Sequence, residues 1–268
     1  MSETSTIGFI GFGNMGSAIA KGLIAAGTVT GGQIVACAAH YDKLAKRVAP
    51  MGIRAVETPR EVAEAADIVV VAIKPYQIEG VMKPLLDVLV GGSKFVVSLA
   101  AGWTLATYQR SLGEISEQLH LQCTIPNTPM AVGKGVLVTE DVDTLTDDQR
   151  AEFERIFGTI ALIERVDSDH MGIAMCLSGC APAFTAMYVE ALGDAGVKYG
   201  LQRETAYRLA AKMIEGVGAL YMDAGEHPGA LKDAVCSPGG TTIKGVASLE
   251  ESAFRGSVIR AVDAIEQG

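Results

Sequence analysis

Two short glycine-rich stretches, one near each end of the chain, carry residue types whose spacing could do chemistry. Gly11-Phe12-Gly13-Asn14-Met15-Gly16 has the spacing Gly-x-Gly-x-x-Gly, which suits a dinucleotide pyrophosphate. The first glycine permits a tight turn, the second lets backbone amides approach the phosphates, and the third lets the following helix pack closely on its strand. The second stretch is Ser237-Pro238-Gly239-Gly240-Thr241-Thr242. Gly239 and Gly240 precede a resumed helical pattern, so the unpaired amides of a helix start can hold a carboxylate, and Thr241 and Thr242 add hydroxyls. Spacing alone equally admits a tight turn between two helices.

The first stretch needs a strand before it and a helix after it, and both are legible. Thr6-Ile7-Gly8-Phe9-Ile10 reads as a short buried strand, and Ala18, Ile19, Leu23 and Ile24 recur at helical spacing beyond the glycines. A second strand, Gln33-Ile34-Val35-Ala36-Cys37, ends where an NAD-selective site places an acidic residue on the adenosine ribose. Here Ala38-Ala39-His40-Tyr41 follows, with Lys43 and Arg47 beyond. This pattern favours NADPH over NADH, which remains possible; the alternative for His40 and Lys43 is a solvated helix start.

Ile68-Val69-Val70-Val71 and Phe95-Val96-Val97-Ser98 are continuous apolar runs, as central parallel strands require, and Val81, Leu85, Leu86 and Leu89 mark a helix between them. Loops at the carboxyl ends of such strands line the cofactor crevice. Ala72, Lys74 and Pro75 after one strand, and Ala100, Ala101 and Gly102 after the other, are therefore cofactor-binding candidates. Lys74 contacts the cofactor or a substrate carboxylate, or else points into water. Gln122-Cys123-Thr124-Ile125 gives another strand, stopped by Pro126-Asn127-Thr128-Pro129. Asn127 orients the nicotinamide or the substrate, or merely forms the turn.

A capping box, Thr146-x-x-Gln149, starts a helix, and Ala161-Leu162-Ile163 follows as a short strand. Beyond Val166 the strand pattern ceases. Ala206, Leu209, Ala210, Met213 and Ile214 share one helical face, and Phe254, Val258, Ile259 and Val262 another. The expected organisation is a nucleotide domain over 1–165 and an all-helical domain over 166–268. The fold class is α/β, a doubly wound parallel sheet followed by helices.

A formal net charge of -9 argues against nucleic acid and anionic membrane partners. The five cysteines form no Cys-x-x-Cys pair and read as reduced residues of a cytosolic protein, and the four histidines lack metal-ligand spacing, so no metal is expected. The amino-terminal residues, without a basic region or long apolar run, predict no export signal. Residues 171–189 carry no charge and approach the ~20-residue length of a membrane span. Gly172, Ser178, Gly179, Pro182 and Thr185, bracketed by Asp169 and Glu190, instead point to a helix packed by neighbours or by a second subunit.

Over nearly its whole length the sequence resembles the pyrroline-5-carboxylate reductases. The resemblance is carried by Gly11-Phe12-Gly13-Asn14-Met15, Ile73-Lys74-Pro75, Ser98-Leu99-Ala100-Ala101-Gly102, Pro126-Asn127-Thr128-Pro129 and Leu177-Ser178-Gly179. Its most distinctive part runs from His227-Pro228-Gly229 through Ser237-Pro238-Gly239-Gly240-Thr241-Thr242 to Leu249-Glu250-Glu251 and Phe254-Arg255. The resemblance implies an NAD(P)-binding Rossmann domain and a helical domain that interlocks with a partner's in a homodimer, which can assemble further. It also implies a substrate site between the nicotinamide and the signature loop. There 1-pyrroline-5-carboxylate would be reduced to L-proline, the last step of proline biosynthesis. Thr242 would sit beside the ring nitrogen, with Gly239, Gly240 and Thr241 at the carboxylate. Two departures stand out: Cys180-Ala181 replaces the common Ser-Gly before the proline, and the final helix stops early at Gly268, which bears on higher assembly. A β-hydroxyacid dehydrogenase would need a lysine that residues 178–190 do not supply; a reductase of another cyclic imine and a non-catalytic NADP sensor are the remaining alternatives.

Overall fold

The computed structural model describes residues 5–113 and 118–267. Residues 1–4, part of the stretch read for an export signal, and Gly268, the expected end of the last helix, lie outside them. The chain forms two compact units, Met1–Gly179 and Cys180–Gly268.

Among the described residues the first unit has eight strands: β1 (Ile7–Ile10), β2 (Ile34–Cys37), β3 (Arg54–Ala55), β4 (Ile68–Val71), β5 (Phe95–Ser98), β6 (Leu121–Pro126), β7 (Gly135–Glu140) and β8 (Ala161–Val166). They lie in the order β3-β2-β1-β4-β5-β6-β7-β8. From β3 to β6 every pairing is parallel; β7 runs antiparallel to β6 and parallel to β8. The strand order reverses between β1 and β4, the switch point outside which doubly wound sheets bind ligands.

Helices cover both faces: α1 (Asn14–Ala25), α2 (Tyr41–Val48), α3 (Pro59–Ala65), α4 (Ile78–Met82), α5 (Leu86–Leu89), α6 (Leu105–Leu112) and α7 (Asp147–Phe157). Because successive side chains of a strand point to opposite faces, a strand covered on both sides must be apolar throughout. In β1, Ile7 and Phe9 join the core under α1 and α7, whereas Ile10 joins the core under α3 to α6. Gly8 lets α3 come in close: a Cβ there would lie 2.6 Å from Val62 Cγ1 and 2.7 Å from Ala66 Cβ. The helix expected over Val81 to Leu89 is instead α4, a 3-10 turn and α5, because Pro84 sits within it and cannot donate to a continuous α-helix. The capping box at α7 forms as the sequence implies, with Gln149 N donating to Thr146 Oγ1 and Gln149 Oε1 accepting from Thr146 N.

After β8 the chain enters α8 (Met171–Met175), a π-helical turn (Cys176–Cys180) and α9 (Ala181–Lys198). The first unit continues past the last strand because Met171 packs with Ile125 and Val138 of the sheet. The second unit continues with α10 (Arg203–Ala224), α11 (Pro228–Ala234), α12 (Thr241–Glu251) and α13 (Phe254–Glu266). Its core is thin: Ala206 and Ala210 are the buried apolar residues of α10, while Leu209, Val217, Leu220 and Met222 are exposed. Within this unit Gly193 admits the Tyr207 ring, whose Cε1 would overlap a Cβ at that position, so α9 and α10 approach closely.

Candidate active site

The three fingerprint glycines each have a distinct physical reason. Gly11 has φ +90°, a conformation L side chains rarely adopt, and a Cβ on it would lie 2.6 Å from the Ala72 carbonyl oxygen. Its amide donates to the Cys37 carbonyl at 3.1 Å, tying the loop to the end of β2. Gly13, the N-cap of α1, faces open space, with nothing within 4 Å of a built Cβ. Gly16 lies against the loop, 3.0 Å from the Gly11 carbonyl oxygen by the same construction, so a side chain would push α1 off β1. No side chain caps α1 and its first turn holds no acidic residue. Its amino-terminal amides and the positive end of its dipole are thus available to an anion.

Phe12 packs its ring edge-on against Phe9, the centroids 5.5 Å apart. Arg47, from α2, donates through Nη1 to the Phe12 carbonyl at 3.1 Å and lies 5.9 Å over the Phe12 ring. The guanidinium, whose other N–H groups are not used in that bond, is therefore held beside the fingerprint loop. His40 is exposed as the N-cap of α2, and no carboxylate stands between Cys37 and Tyr41. Burial pushes the Cys37 thiol above its ordinary value, so it is a packed, protonated group.

Ala72, Lys74 and Pro75 follow β4, beside the switch point. Ala72 N donates to Ile10 O at 2.8 Å, which locks this loop to the end of β1; Lys74 is exposed. Ala100, Ala101 and Gly102 form a turn after β5, closed by Trp103 N to Ala100 O at 3.1 Å, with Gly102 at φ +77°. Beneath it Ala100 N donates to Ser98 Oγ at 3.2 Å, and Ser98 Oγ shares a 2.7 Å hydrogen bond with the buried Tyr108 hydroxyl. Burial drives the Tyr108 phenol far above its ordinary range, so it stays protonated. The amides of Ala101 and Gly102 have no hydrogen bond among the described residues.

Asn127 is buried and occupied. Its Oδ1 accepts from Val136 N at 2.8 Å and its Nδ2 donates to Ser178 O at 2.9 Å. A π-helical turn shifts the backbone ladder by one residue and strands a carbonyl; Asn127 takes up the Ser178 carbonyl of that turn and braces it against β7. No local pattern announces the contact, which joins residues 51 apart in the chain.

In the second unit, Pro228 occupies the first position of α11, as the sequence implies, and His227 Nδ1 caps the helix by accepting from Gly229 N at 3.0 Å. Gly239 has φ +70° and Gly240 N donates to Ser237 O at 3.0 Å, making a turn that delivers the chain into α12. Gly240 is the N-cap and has no side chain to cap with; the first turn holds no acidic residue. Thr241 and Thr242 are exposed on that first turn, and their hydroxyls have no hydrogen bond among the described residues. This end of α12 offers amides and hydroxyls to an anion, as the α1 end does within its own unit. The sequence assigned no role to Glu140 or to the Ser98 side chain, although Ser98 stands in a stretch that carries the resemblance; the available signal was a polar group closing an otherwise apolar strand.

The switch-point sheet and its glycine loop define a dinucleotide-binding protein of the Rossmann class. Residues 6–102 match the family described as "NADP oxidoreductase coenzyme F420-dependent", and residues 168–267 match "Pyrroline-5-carboxylate reductase dimerisation". The chain is 43% identical over 260 residues to the pyrroline-5-carboxylate reductase of Treponema pallidum, covering 96% of this chain and 97% of that one. The solved pyrroline-5-carboxylate reductase of Coxiella burnetii superposes with a TM-score of 0.85 at 33% identity, covering 98% of this chain and 96% of that one. The Plasmodium falciparum pyrroline carboxylate reductase with NADP bound gives a TM-score of 0.84 at 29% identity, with coverage of 98% and 96%. The chain belongs to the pyrroline-5-carboxylate reductase family.

Proposed function

We propose that this chain reduces 1-pyrroline-5-carboxylate to L-proline with NADPH. The observation that carries the reading is family membership over 96% of the chain, joined to a fingerprint loop in which Gly11 makes the turn, Gly16 lets α1 pack and Gly13 leaves open space for a ligand. When bound, NADPH supplies a hydride to the imine carbon, and the ring nitrogen ends with the proton of a secondary amine.

The chain's own residues fit that cofactor. Gly13 leaves space that a Cβ would fill, and Gly11 makes the turn that exposes the amides of Phe12, Gly13, Asn14 and Met15 toward the phosphates. Arg47 offers a cation and His40 a ring nitrogen where an NAD-selective site would carry an acid, which supports NADPH over NADH. Ala72, Lys74 and Pro75, with Ala100, Ala101 and Gly102, line the remainder. The turn at Gly239 and Gly240 presents the unpaired first-turn amides of Thr241 and Thr242, which with the Thr241 hydroxyl hold the substrate carboxylate. Thr242 holds the proton at the imine nitrogen, orienting an already protonated imine or relaying a proton, since an alcohol alone is too weak an acid to supply one. Asn127, with one partner on each polar atom, Val136 N and Ser178 O, acts on substrate and nicotinamide through the backbone it braces. Positioning dominates: proximity supplies ~7 kcal/mol or more, against ~10²-fold to 10⁴-fold for a proton relay.

Assembly is as a homodimer through the helical unit, a reading supported by Met187 at 68% and Leu209 at 60% exposure in the single chain. The run Ser168–Lys198 is long and apolar enough to cross a membrane by length and composition alone, and 6% of its window is buried within the chain; a second copy covers it in this reading. The five cysteines form no disulfide among the described residues, which supports a reducing, cytoplasmic compartment. The test is to mix the protein with 1-pyrroline-5-carboxylate and NADPH or NADH, following loss of reduced-cofactor absorbance and formation of proline. Rapid turnover with NADPH is expected. Cofactor binding without proline would move the assignment to another cyclic imine or to a sensor.

A further inference from the structure

We propose that Glu140 is a positioning residue for the reductase, fixing the loop between β5 and α6 whose tip presents the Ala101 and Gly102 amides. The proposal rests on the assignment of residues 100–102 to NADPH. Glu140 closes β7 and is fully buried, at 0% exposure. A buried carboxylate is costly unless donors converge on it. Here Leu105 N donates to Oε2 at 2.8 Å and the Ser168 hydroxyl donates to Oε1, while the Cys123 thiol, which the same carboxylate helps keep protonated, stands beside them.

The Leu105 contact links this node to the loop. Leu105 is the first residue of α6, and its amide is one of those a helix cannot satisfy internally. A carboxylate placed there also meets the positive end of the helix dipole. The loop is then held at both feet: Leu99 N donates to Val71 O at 3.0 Å and Ala100 N to Ser98 Oγ at one end, and Leu105 N to Glu140 at the other. Between the feet, Ala101 and Gly102 keep their amides outward. Through Ser168, the same carboxylate grips the point where the chain leaves the sheet. Glu140 itself hydrogen-bonds to neither tip residue, so its effect on the cofactor runs through the loop.

Two substitutions break the bond from opposite sides. Glu140→Gln keeps the shape but turns an N–H group toward one of the donors. Leu105→Pro deletes the donating amide at a first helical position, where proline fits, after Thr104, whose extended backbone (φ -92°, ψ 167°) suits a following proline. In each full-length variant the KM and directly titrated Kd for NADPH are expected to rise roughly tenfold, with kcat held within about twofold. Cys123→Ala removes a contact to Glu140 that does not reach the loop, and is expected to leave the KM for NADPH unchanged. If both loop variants melt at lower temperature yet bind NADPH normally, Glu140 is structural only and the positioning role is overturned. A wild-type chain that binds no NADPH would instead overturn the cofactor assignment beneath it.

Discussion

Gly11 and Gly13, two positions apart, are glycines for opposite reasons. At Gly11 a side chain has no room and the backbone sits at φ +90°, whereas at Gly13 there is ample room. The first is thus required by the fold of the empty loop, and the second by what approaches it. Thr242 belongs with Gly13: its hydroxyl contributes nothing to holding α12 together, since the helix starts on an uncapped Gly240. Thr242→Val is therefore expected to fold with an unchanged melting temperature and to bind NADPH normally. Its kcat should fall ~10²-fold, the typical scale for a group that positions or relays a proton. Near-normal turnover would remove Thr242 from the mechanism.

Among the elements, β1 and α3 show how a strand glycine sets helix height. Gly8 pairs with Val35 and Val69 on either side and turns its bare face to Val62 and Ala66. Gly8→Ala puts a methyl about where those side chains already are. The expected cost is about 1–3 kcal/mol, the scale of overpacking in a closed core. It should appear as a lower denaturant midpoint with KM for NADPH little changed. An unchanged midpoint would show that α3 can retreat freely. The π turn before α9 is an element of a different sort, because its displaced ladder is tolerated where Asn127 accepts the task of satisfying Ser178 O.

At the scale of the molecule, the two units differ in how they close their surfaces. The first buries strands on both faces, whereas the second leaves Met187, Leu209, Leu220 and Met222 exposed. The double variant Met187→Glu with Leu209→Glu should cost the single chain little and should shift the protein to monomer by light scattering. A dimer that survives both charges would place the interface elsewhere. The first unit also carries a pH signature. Burial raises the Cys37 and Cys123 thiols above their ordinary 9.0, the Glu140 charge adding to the effect at Cys123, and raises Tyr108 above its ordinary 10.0. Above those values the unfolded chain releases protons that the folded chain keeps. Stability is therefore fully present below about pH 9 and is lost as pH rises. Denaturant midpoints should fall as pH rises above about 9, and less so in Cys123→Ala.

The glycine fingerprint, the Rossmann strands from β1 through β6 other than β3, the capping box of α7, the proline start of α11 and the Gly239-Gly240 entry to α12 were all legible in the sequence. Each is decided within about one helical turn or one strand, by backbone sterics and side-chain periodicity that act between near neighbours. Two-residue β3 is too short to leave a pattern, and β7 was hidden behind the proline-rich loop before it. Only the tertiary structure turned β7 antiparallel to β6, brought Glu140 to Leu105 across 35 residues and set Asn127 on Ser178 across 51. Such contacts depend on which buried polar groups are left over once the sheet has closed, and a local run of residues does not carry that information.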